Sequence, residues 1–190
     1  MKDYTRIAEI IKNGGVGVFP TDTLYGLIGS ALIPQAVEKI YEIKGREETK
    51  PFIVLISNLS DLKVFGIKLT DAQKGFLHKV WPGEVSVILP IAEESQEKLK
   101  YLHRGVCTLA FRSPNKLETV TLLNYTGPLV APSTNPTGAK PAETIEEAWN
   151  YFSNKVGFYE DVGQLSAPPS TLVDLTNDEI KILRQGRVIV

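Results

Sequence analysis

Strand-like apolar segments and helix-spaced apolar stripes alternate along the first two-thirds of the chain. Residues 52–56 are an unbroken apolar run, which is typical of a buried central strand. Mainly apolar segments at residues 16–19, 85–91, 106–111 and 129–131 are predicted to be strands as well. Apolar side chains spaced three and four positions apart predict helices, and such stripes lie at residues 4–11, 36–44, 72–80, 117–123 and 145–152. This alternation predicts a sheet that is covered by helices.

The last third of the chain is richer in strand-like segments. We predict strands at roughly residues 157–159, 171–175, 180–184 and 187–190. Asn177 and Asp178 are a turn signal between two of them, which favours an antiparallel pair. The predicted fold is therefore mixed α/β (α+β), with a twisted mixed β-sheet covered by helices in a single domain over residues 1–190.

Capping signals mark the beginnings of three helices. Asp3 is the predicted N-cap of the first helix, because its carboxylate can accept a hydrogen bond from an unpaired backbone N–H group. Thr70 with Gln73, and Thr144 with Glu147, match the capping box in which two side chains satisfy two such groups reciprocally.

The segment after the first strand carries several small polar side chains. Thr21, Asp22 and Thr23 follow the apolar run directly. Gly26 and Gly29 come next, and they predict a tight bend with unshielded backbone N–H groups. This segment is a candidate ligand-binding turn.

Lys44 is an unusual cation because it lies on the apolar stripe of its helix, seven residues after Val37 and four after Ile40. A buried cation needs a partner, and an anionic ligand would supply one. Alternatively, Lys44 and Arg46 only offset the negative end of the helix dipole. Helix spacing alone gives the two interpretations equal weight.

Polar or cationic residues also occur at the ends of other predicted strands. Residues 132–138 read PSTNPTG, whose hydroxyl and amide groups suit phosphate or ribose recognition, although composition alone favours an ordinary turn. Arg112 could clamp a carboxylate or form a surface ion pair, and Ser170 and Arg184 flank C-terminal strands. Ligands collect at strand ends in α/β sheets, so we expect an anionic ligand together with a small carboxylate.

Composition narrows the classes of function. The net charge of −1 gives no bulk attraction to nucleic acid or membranes, and no apolar run approaches the ~20 residues of a membrane span. The single Cys107, interpreted as a core position in a strand, fits a reducing, cytoplasmic setting. His78 and His103, interpreted as solvated surface residues, lack a second metal ligand at a useful spacing, so no metal site is predicted.

A series of ordered sequence blocks covers nearly the whole chain and resembles the YrdC/Sua5 family of threonylcarbamoyl-AMP synthases. The blocks are FPTDTLYGL, IKGR, KPFIVLI, WPGEVSVILP, AFRSP, PLVAPSTNPTG, STLVDL and ILRQG. The family hallmark, K-x-R paired with a distant S-x-N, matches Lys44-Gly45-Arg46 and Ser133-Thr134-Asn135. The resemblance implies a YrdC/RibB-like fold with a positively charged concave face, in the short form without the C-terminal Sua5 domain.

The resemblance also implies an activity. The enzyme would be a nucleotidyltransferase that joins L-threonine, bicarbonate and ATP into threonylcarbamoyl-adenylate, releasing pyrophosphate, for the t6A modification of tRNA. The implied ATP-binding residues are Lys44, Arg46, Ser133, Asn135, Ser170 and Arg184 (Lys44 and Arg46 also being catalytic), and the implied threonine-binding residues are Thr21, Thr23, Tyr25 and Arg112. Mg²⁺ would come with ATP, and a threonylcarbamoyl transferase complex would take the labile product.

Three residues depart from the family pattern: Glu47 where proline is common, Leu55 where some members have histidine, and Thr134 where alanine is usual. One alternative is a non-catalytic module that binds double-stranded RNA or tRNA through a concave basic face, but the net charge and the lack of aromatic residues among the cations argue against it. Another is a carbamoyl-transfer enzyme of hydrogenase maturation, whose Cys-rich module this chain lacks. A pseudo-enzyme bound to partners is the third.

Overall fold

A computed structural model describes residues 3–47 and 49–190. The α-helices in this part are α1 (Thr5–Lys12), α2 (Pro34–Lys44), α3 (Asp71–Val80), α4 (Glu93–Gln96), α5 (Lys100–His103), α6 (Leu117–Thr126) and α7 (Ile145–Phe152). The strands are β1 (Val16–Pro20), β2 (Tyr25–Ser30), β3 (Ile53–Leu55), β4 (Val85–Pro90), β5 (Thr108–Arg112), β6 (Leu129–Val130), β7 (Thr171–Asp174) and β8 (Lys181–Arg184). Short 3₁₀ helices lie at Leu59–Phe65, Glu97–Leu99 and Ser153–Lys155.

The described strands form one sheet in the order β1-β2-β6-β3-β5-β4-β7-β8. Two neighbouring pairs, β3 with β5 and β4 with β7, are parallel. The other neighbours are antiparallel. The predicted mixed sheet covered by helices is confirmed.

The bend predicted at Gly26 and Gly29 is wrong, because both glycines lie within β2. This strand pairs with β1 in antiparallel register, from Val16 opposite Gly29 to Pro20 opposite Tyr25. Glycine serves close packing here: a Cβ atom on Gly29 would lie 3.0 Å from Val16 Cγ1 and 3.2 Å from Ile40 Cδ1. The bend is confined to residues 21–24, and β2 is a fully buried strand.

The capping predictions differ in their outcomes. Thr70 and Gln73 form the predicted capping box of α3. The Thr144 hydroxyl accepts from the backbone N–H of Glu147, but the Glu147 carboxylate accepts from the backbone N–H of Glu143 instead of closing the box. The N-cap of α1 is Tyr4 rather than Asp3, whose carboxylate still accepts from the backbone of Thr5.

The C-terminal strands were predicted with partial success. Strands β7 and β8 form the predicted antiparallel pair, and Asp178 in their turn has a left-handed backbone with φ of 61°. Residues 157–159 are not a regular strand, but they lie alongside β1, where Val18 and Tyr159 form an isolated bridge and the backbone N–H of Gly157 donates to the carbonyl of Val16. Residues 187–190 are not a strand, although the carbonyl of Val188 accepts a hydrogen bond from Thr171 Oγ1.

Both faces of the sheet are buried at β1 and β2, whereas β8 at the other edge is exposed. Alternate residues of the first hairpin illustrate this: Val18 and Leu27 belong to the larger core, whereas Phe19 and Ile28 belong to a smaller core with side chains of α1 and α6. The larger core also contains side chains of α2, α3, α5 and α7. None of the helices in the described residues is long and apolar enough to cross a membrane.

His103 and Cys107, which precede β5, are in environments that differ from the predicted ones. His103 is buried rather than solvated: its Nε2 lies 2.8 Å from the carbonyl of Gln96, and its Nδ1 accepts from the backbone of Gly105 and Cys107. Cys107 precedes the strand and has a φ of 58°, so it is a half-buried turn residue rather than a core position. His103 therefore organises this turn.

The contact between β1 and Phe158 gives a stability prediction. A Cβ atom on Gly17 would lie 2.4 Å from ring atoms of Phe158, so Gly17→Ala is expected to lower the free energy of unfolding by about 1–3 kcal/mol. Gly75→Ala is the matched control, because Gly75 lies in α3 with open space around it, and alanine there should raise stability by about 1 kcal/mol. Urea unfolding measures both, and equal effects of the two substitutions would contradict the packing described.

Candidate active site

A cleft of about 310 Å³ lies on the sheet. Most of the predicted site residues line it, namely Thr21, Thr23, Tyr25, Arg46, Arg112, Ser133, Ser170 and Arg184. Lys44 and Asn135 do not line the cleft, but both are hydrogen-bonded to Ser133, which does. The structure therefore brings together residues that are separated by up to 163 positions in the sequence, 184 minus 21.

The lining residues come from both ends of the sheet. An isolated bridge pairs Gly26 with Ser133 where β2 begins. Arg112 lies at the end of β5, opposite Leu55 at the end of β3, and its Nη1 lies 3.4 Å from Thr23 Oγ1. The cleft is therefore lined by residues at which strands begin or end, such as Tyr25 at the start of β2, Arg112 at the end of β5 and Arg184 at the end of β8.

The cleft is locally positive although the net charge of the chain is −1. Arg46, Arg112 and Arg184 line it, and none of the described lining residues is Asp or Glu. Burial lowers the pKa of each of these arginines, and the charge of Arg112 further lowers the pKa of Arg184. An anionic ligand would relieve this accumulation of positive charge.

The turn between β1 and β2 is held by its own hydroxyl groups. Thr21 Oγ1 donates to the carbonyl of Leu24 at 2.7 Å and lies 3.2 Å from Thr23 Oγ1. Both threonines are buried. From α6, Thr119 donates to the carbonyl of Pro20, which ties the turn to that helix. The two hydroxyls are therefore preorganised at the floor of the cleft.

Tyr25 positions the chain that precedes β7. Its hydroxyl donates to the carbonyl of Gly163 at 2.7 Å and accepts from the backbone N–H of Val162 at 3.1 Å. Burial raises the pKa of Tyr25, which keeps the phenol protonated. In this structure Tyr25 holds residues 162–163 beside the cleft, so a direct contact with threonine stays a prediction.

Lys44 connects the end of α2 to Ser133-Thr134-Asn135, the S-x-N segment, through hydrogen bonds. Its ammonium donates to the carbonyls of Ser133 at 2.5 Å and Asn135 at 2.6 Å, and its own carbonyl accepts from the backbone N–H of Thr137 at 2.8 Å. Burial and the neighbouring Arg46 lower the pKa of Lys44 to about 7, whereas the two carbonyls favour the charged form. The partners of Lys44 seen here are thus backbone oxygens.

The side chains of the S-x-N segment form hydrogen bonds within their own loop. Ser133 Oγ donates to Asn135 Oδ1 at 2.6 Å, and Asn135 Nδ2 donates to the carbonyl of Ala139 at 2.8 Å. Asn135 is therefore committed to the loop, and Ser133 is the member that reaches the cleft. Thr134 is fully buried and does not line the cleft, so it does not crowd a ligand there.

Arg46 lies at the mouth of the cleft in a fixed orientation. Its Nε donates to the carbonyl of Lys50 at 3.1 Å, and the guanidinium lies 5.3 Å from the centre of the Phe52 ring. Glu47, the departure from the family pattern next to it, is exposed and forms an ion pair with Lys50 at 2.6 Å. The negative charge of Glu47 is therefore partnered outside the cleft.

Ser170 and Arg184 line the cleft from the C-terminal strands. Arg184 donates through Nε at 3.1 Å and Nη2 at 2.9 Å to the carbonyl of Ser170. The hydroxyls of Ser86 and Ser170 lie 2.9 Å apart, which connects β4 to the residue that precedes β7. Ser86 was not among the predicted residues, because it stands inside a mainly apolar strand and the sequence does not show that it meets Ser170.

Arg112 has a counter-ion that the sequence left open. Its Nη2 lies 3.0 Å from Asp22 Oδ1, and the side chains of the two residues are 5% and 7% exposed. Asp22 stands between the two predicted threonines in the sequence, but only the folded chain shows that its carboxylate meets Arg112. A cation and an anion are thus both available beside the threonine hydroxyls.

Fold and site together define an α/β protein with an arginine-lined cleft built on a mixed sheet. A family model described as "Telomere recombination", that of the Sua5/YciO/YrdC proteins, matches residues 9–186. The chain therefore belongs to the Sua5/YciO/YrdC family.

Curated relatives carry the name threonylcarbamoyl-AMP synthase. The protein of Pyrococcus abyssi is 30% identical over 181 residues, which are 94% of this chain and 52% of that protein. The protein of Bacillus subtilis is 30% identical, covering 95% of this chain and 52% of its own length. The protein of Cellvibrio japonicus is 29% identical, covering 96% and 92%. This chain thus spans about half the length of the first two relatives.

Solved structures confirm the fold. P. abyssi Sua5 complexed with L-threonine has a TM-score of 0.86 at 29% identity, covering 95% of this chain and 53% of that chain. YciO of E. coli has a TM-score of 0.84 at 26% identity, covering 96% and 88%. The YrdC/Sua5-like fold expected from the sequence is therefore confirmed, whereas the domain boundaries and the contacts of single residues with ligands stay predictions.

Proposed function

We propose that the protein is an L-threonylcarbamoyladenylate synthase, a nucleotidyltransferase that forms threonylcarbamoyl-AMP, pyrophosphate and water from L-threonine, bicarbonate and ATP. The observation that carries the proposal is the cleft itself, which is lined by Arg46, Arg112 and Arg184. Among the described residues Arg112 has a carboxylate partner, Asp22, whereas Arg46 and Arg184 are hydrogen-bonded to backbone carbonyls. Membership of the family and the names of its curated relatives support the choice of substrates.

The proposed chemistry has two steps. The nitrogen of the threonine amine attacks the carbon of bicarbonate and water leaves, which gives an N-carboxylate. An oxygen of this carboxylate then attacks the α-phosphorus of ATP, and the bond to pyrophosphate breaks. The side chains supply positioning and charge neutralisation rather than a covalent nucleophile.

Roles follow from the positions of the side chains. Arg112 would bind the threonine carboxylate beside the Thr21 and Thr23 hydroxyls, and Arg46 and Arg184 would neutralise phosphate oxygens from opposite walls. The Ser133 hydroxyl, which donates its one hydrogen to Asn135 Oδ1 in this structure, would turn to donate to a phosphate oxygen, while Lys44 holds the backbone of Ser133 in place. This assignment makes Lys44 a positioning residue rather than a direct phosphate ligand in the conformation described.

Magnesium is proposed to arrive with ATP. Within residues 3–47 and 49–190, no group of three or more His, Cys, Asp or Glu side chains could hold a metal ion. Asp22 is paired with Arg112, and Asp174 Oδ1 accepts from the backbone and hydroxyl of Thr176. The described residues do not form a Mg²⁺ ligand set, so phosphate and water oxygens would hold the ion.

The shape of the cleft favours a small ligand over RNA. Binding of duplex RNA needs exposed cations along a surface that follows the phosphate backbone. Here the guanidinium of Arg112 is buried, and those of Arg46 and Arg184 are hydrogen-bonded to the backbone. We also propose that the protein acts in t6A formation in the cytoplasm. A threonylcarbamoyl transferase complex would receive its product.

Pyrophosphate release tests the proposed function. We expect release from ATP and Mg²⁺ only when L-threonine and bicarbonate are both present, with L-serine giving a lower rate at equal concentration. Omission of each substrate in turn is the control. Release that is independent of threonine, or no release from folded protein, would contradict the proposal, and binding of duplex RNA by the same inactive protein would favour the alternative.

A further inference from the structure

The pair formed by Asp22 and Arg112 lies where two cavities meet. Arg112 lines the cleft described above. Asp22 lines a second cavity of about 560 Å³, and Thr21 and Thr23 line both. The turn between β1 and β2 is therefore the partition between the cavities, and the ion pair stands across it.

Part of the hydrogen-bonding capacity of this pair is unused. Asp22 Oδ2 and Arg112 Nε are buried and have no hydrogen-bond partner in the part of the chain that the structure describes. Glu84, whose charge also influences Arg112, forms an ion pair with Arg187 instead. A buried acceptor without a donor is costly, so the free oxygen of Asp22 is a place where a ligand donor would be stabilised.

Charge balance decides which ligand fits. Arg112 and Asp22 neutralise each other in their ion pair. A ligand that brings only a carboxylate to Arg112 would leave Asp22 as an uncompensated buried anion. An α-amino acid carries an ammonium group next to its carboxylate, so it can bind between Arg112 and Asp22 and keep the site neutral.

We propose that Asp22 is a specificity-determining residue that accepts a hydrogen bond from the α-ammonium group of the amino acid whose carboxylate is bound by Arg112. This inference rests on the proposed function, because it names the group that selects the amino acid of that reaction. Rejection of the deaminated analogue follows directly, since the analogue leaves the Asp22 carboxylate unpaired.

Calorimetric titration with two matched ligands tests the assignment. L-threonine and 3-hydroxybutanoate share the carboxylate, the hydroxyl and the methyl group, and only threonine has the amine. In the unsubstituted protein we expect threonine to bind at least about tenfold more tightly, since a hydrogen bond between charged groups is lost with the analogue. Asp22→Asn should reduce this preference by about tenfold or more, and Asp22→Glu should retain it in part.

Several outcomes would overturn the proposal. Equal weakening of both ligands by Asp22→Asn would show that Asp22 only supports Arg112, and an unchanged preference would show that it does not meet the amine. If the asparagine variant does not fold, titration of the unsubstituted protein with the two ligands still tests the proposal. Equal binding of threonine and 3-hydroxybutanoate, or no binding of threonine, would contradict the role of Asp22. The proposed function fails separately, when threonine binds selectively but no pyrophosphate is released.

Discussion

Replacement of Arg46 by alanine is expected to lower threonine-dependent pyrophosphate release by about 100-fold or more, the effect typical of removing one preorganised charge from a transition state. The guanidinium is oriented by the Lys50 carbonyl and by the Phe52 ring. It therefore needs no rearrangement to meet the charge that develops on the departing pyrophosphate. Steady-state rates at saturating ATP and threonine measure the effect.

Two further variants separate a local role of Arg46 from an effect of charge alone. Arg46→Lys keeps the charge but lacks the planar fork of donors, so we expect an intermediate rate. Arg6→Ala removes an exposed arginine of α1 that does not line the cleft, and it should leave the rate unchanged. Equal rates for Arg46→Ala and Arg6→Ala would show that the reaction does not pass through this cleft.

Sequence patterns of a few neighbouring residues correctly predicted the helices and strands that depend on contacts between those residues. The capping box of α3 and the helical stripe that ends at Lys44 involve residues a few positions apart, so the sequence shows both partners at once. The apolar run at the start of β1 was similarly clear. Residues 25–30 were misread because Gly26 and Gly29 are ordinary bend signals, and their true cause, close packing against other elements, is visible only in three dimensions.

The site was predictable as a set of residue types, but not as a set of contacts. Family motifs pointed to Arg112, Ser133 and their companions, and most of these residues do line one cleft. The pairing of Asp22 with Arg112 spans 90 positions, 112 minus 22, and no periodicity connects residues so far apart. The same holds for Lys44, whose stripe position predicted its burial but not its backbone partners.

The buried ammonium of Lys44 gives a prediction about pH. Its pKa in the folded chain is about 7, below the ordinary value of 10.5 that it regains on unfolding. Between these values the unfolded chain holds one more proton, so the free energy of unfolding should rise with pH, by up to about 1.4 kcal/mol per pH unit. Below pH 7 both states are protonated and this stabilisation is absent; above 10.5 it is complete.

Lys44→Met isolates this contribution because methionine retains most of the apolar stem and cannot titrate. Urea unfolding of both proteins from pH 6.5 to 9.5 should show a steeper rise of stability for the unsubstituted chain, and the difference between the two slopes belongs to Lys44. The Ser133 and Asn135 carbonyls act against this expectation, since they favour the ammonium. Equal slopes would therefore mean that these hydrogen bonds keep Lys44 charged throughout the range. Pyrophosphate release should fall in Lys44→Met under either outcome, because the segment that presents Ser133 loses its link to α2.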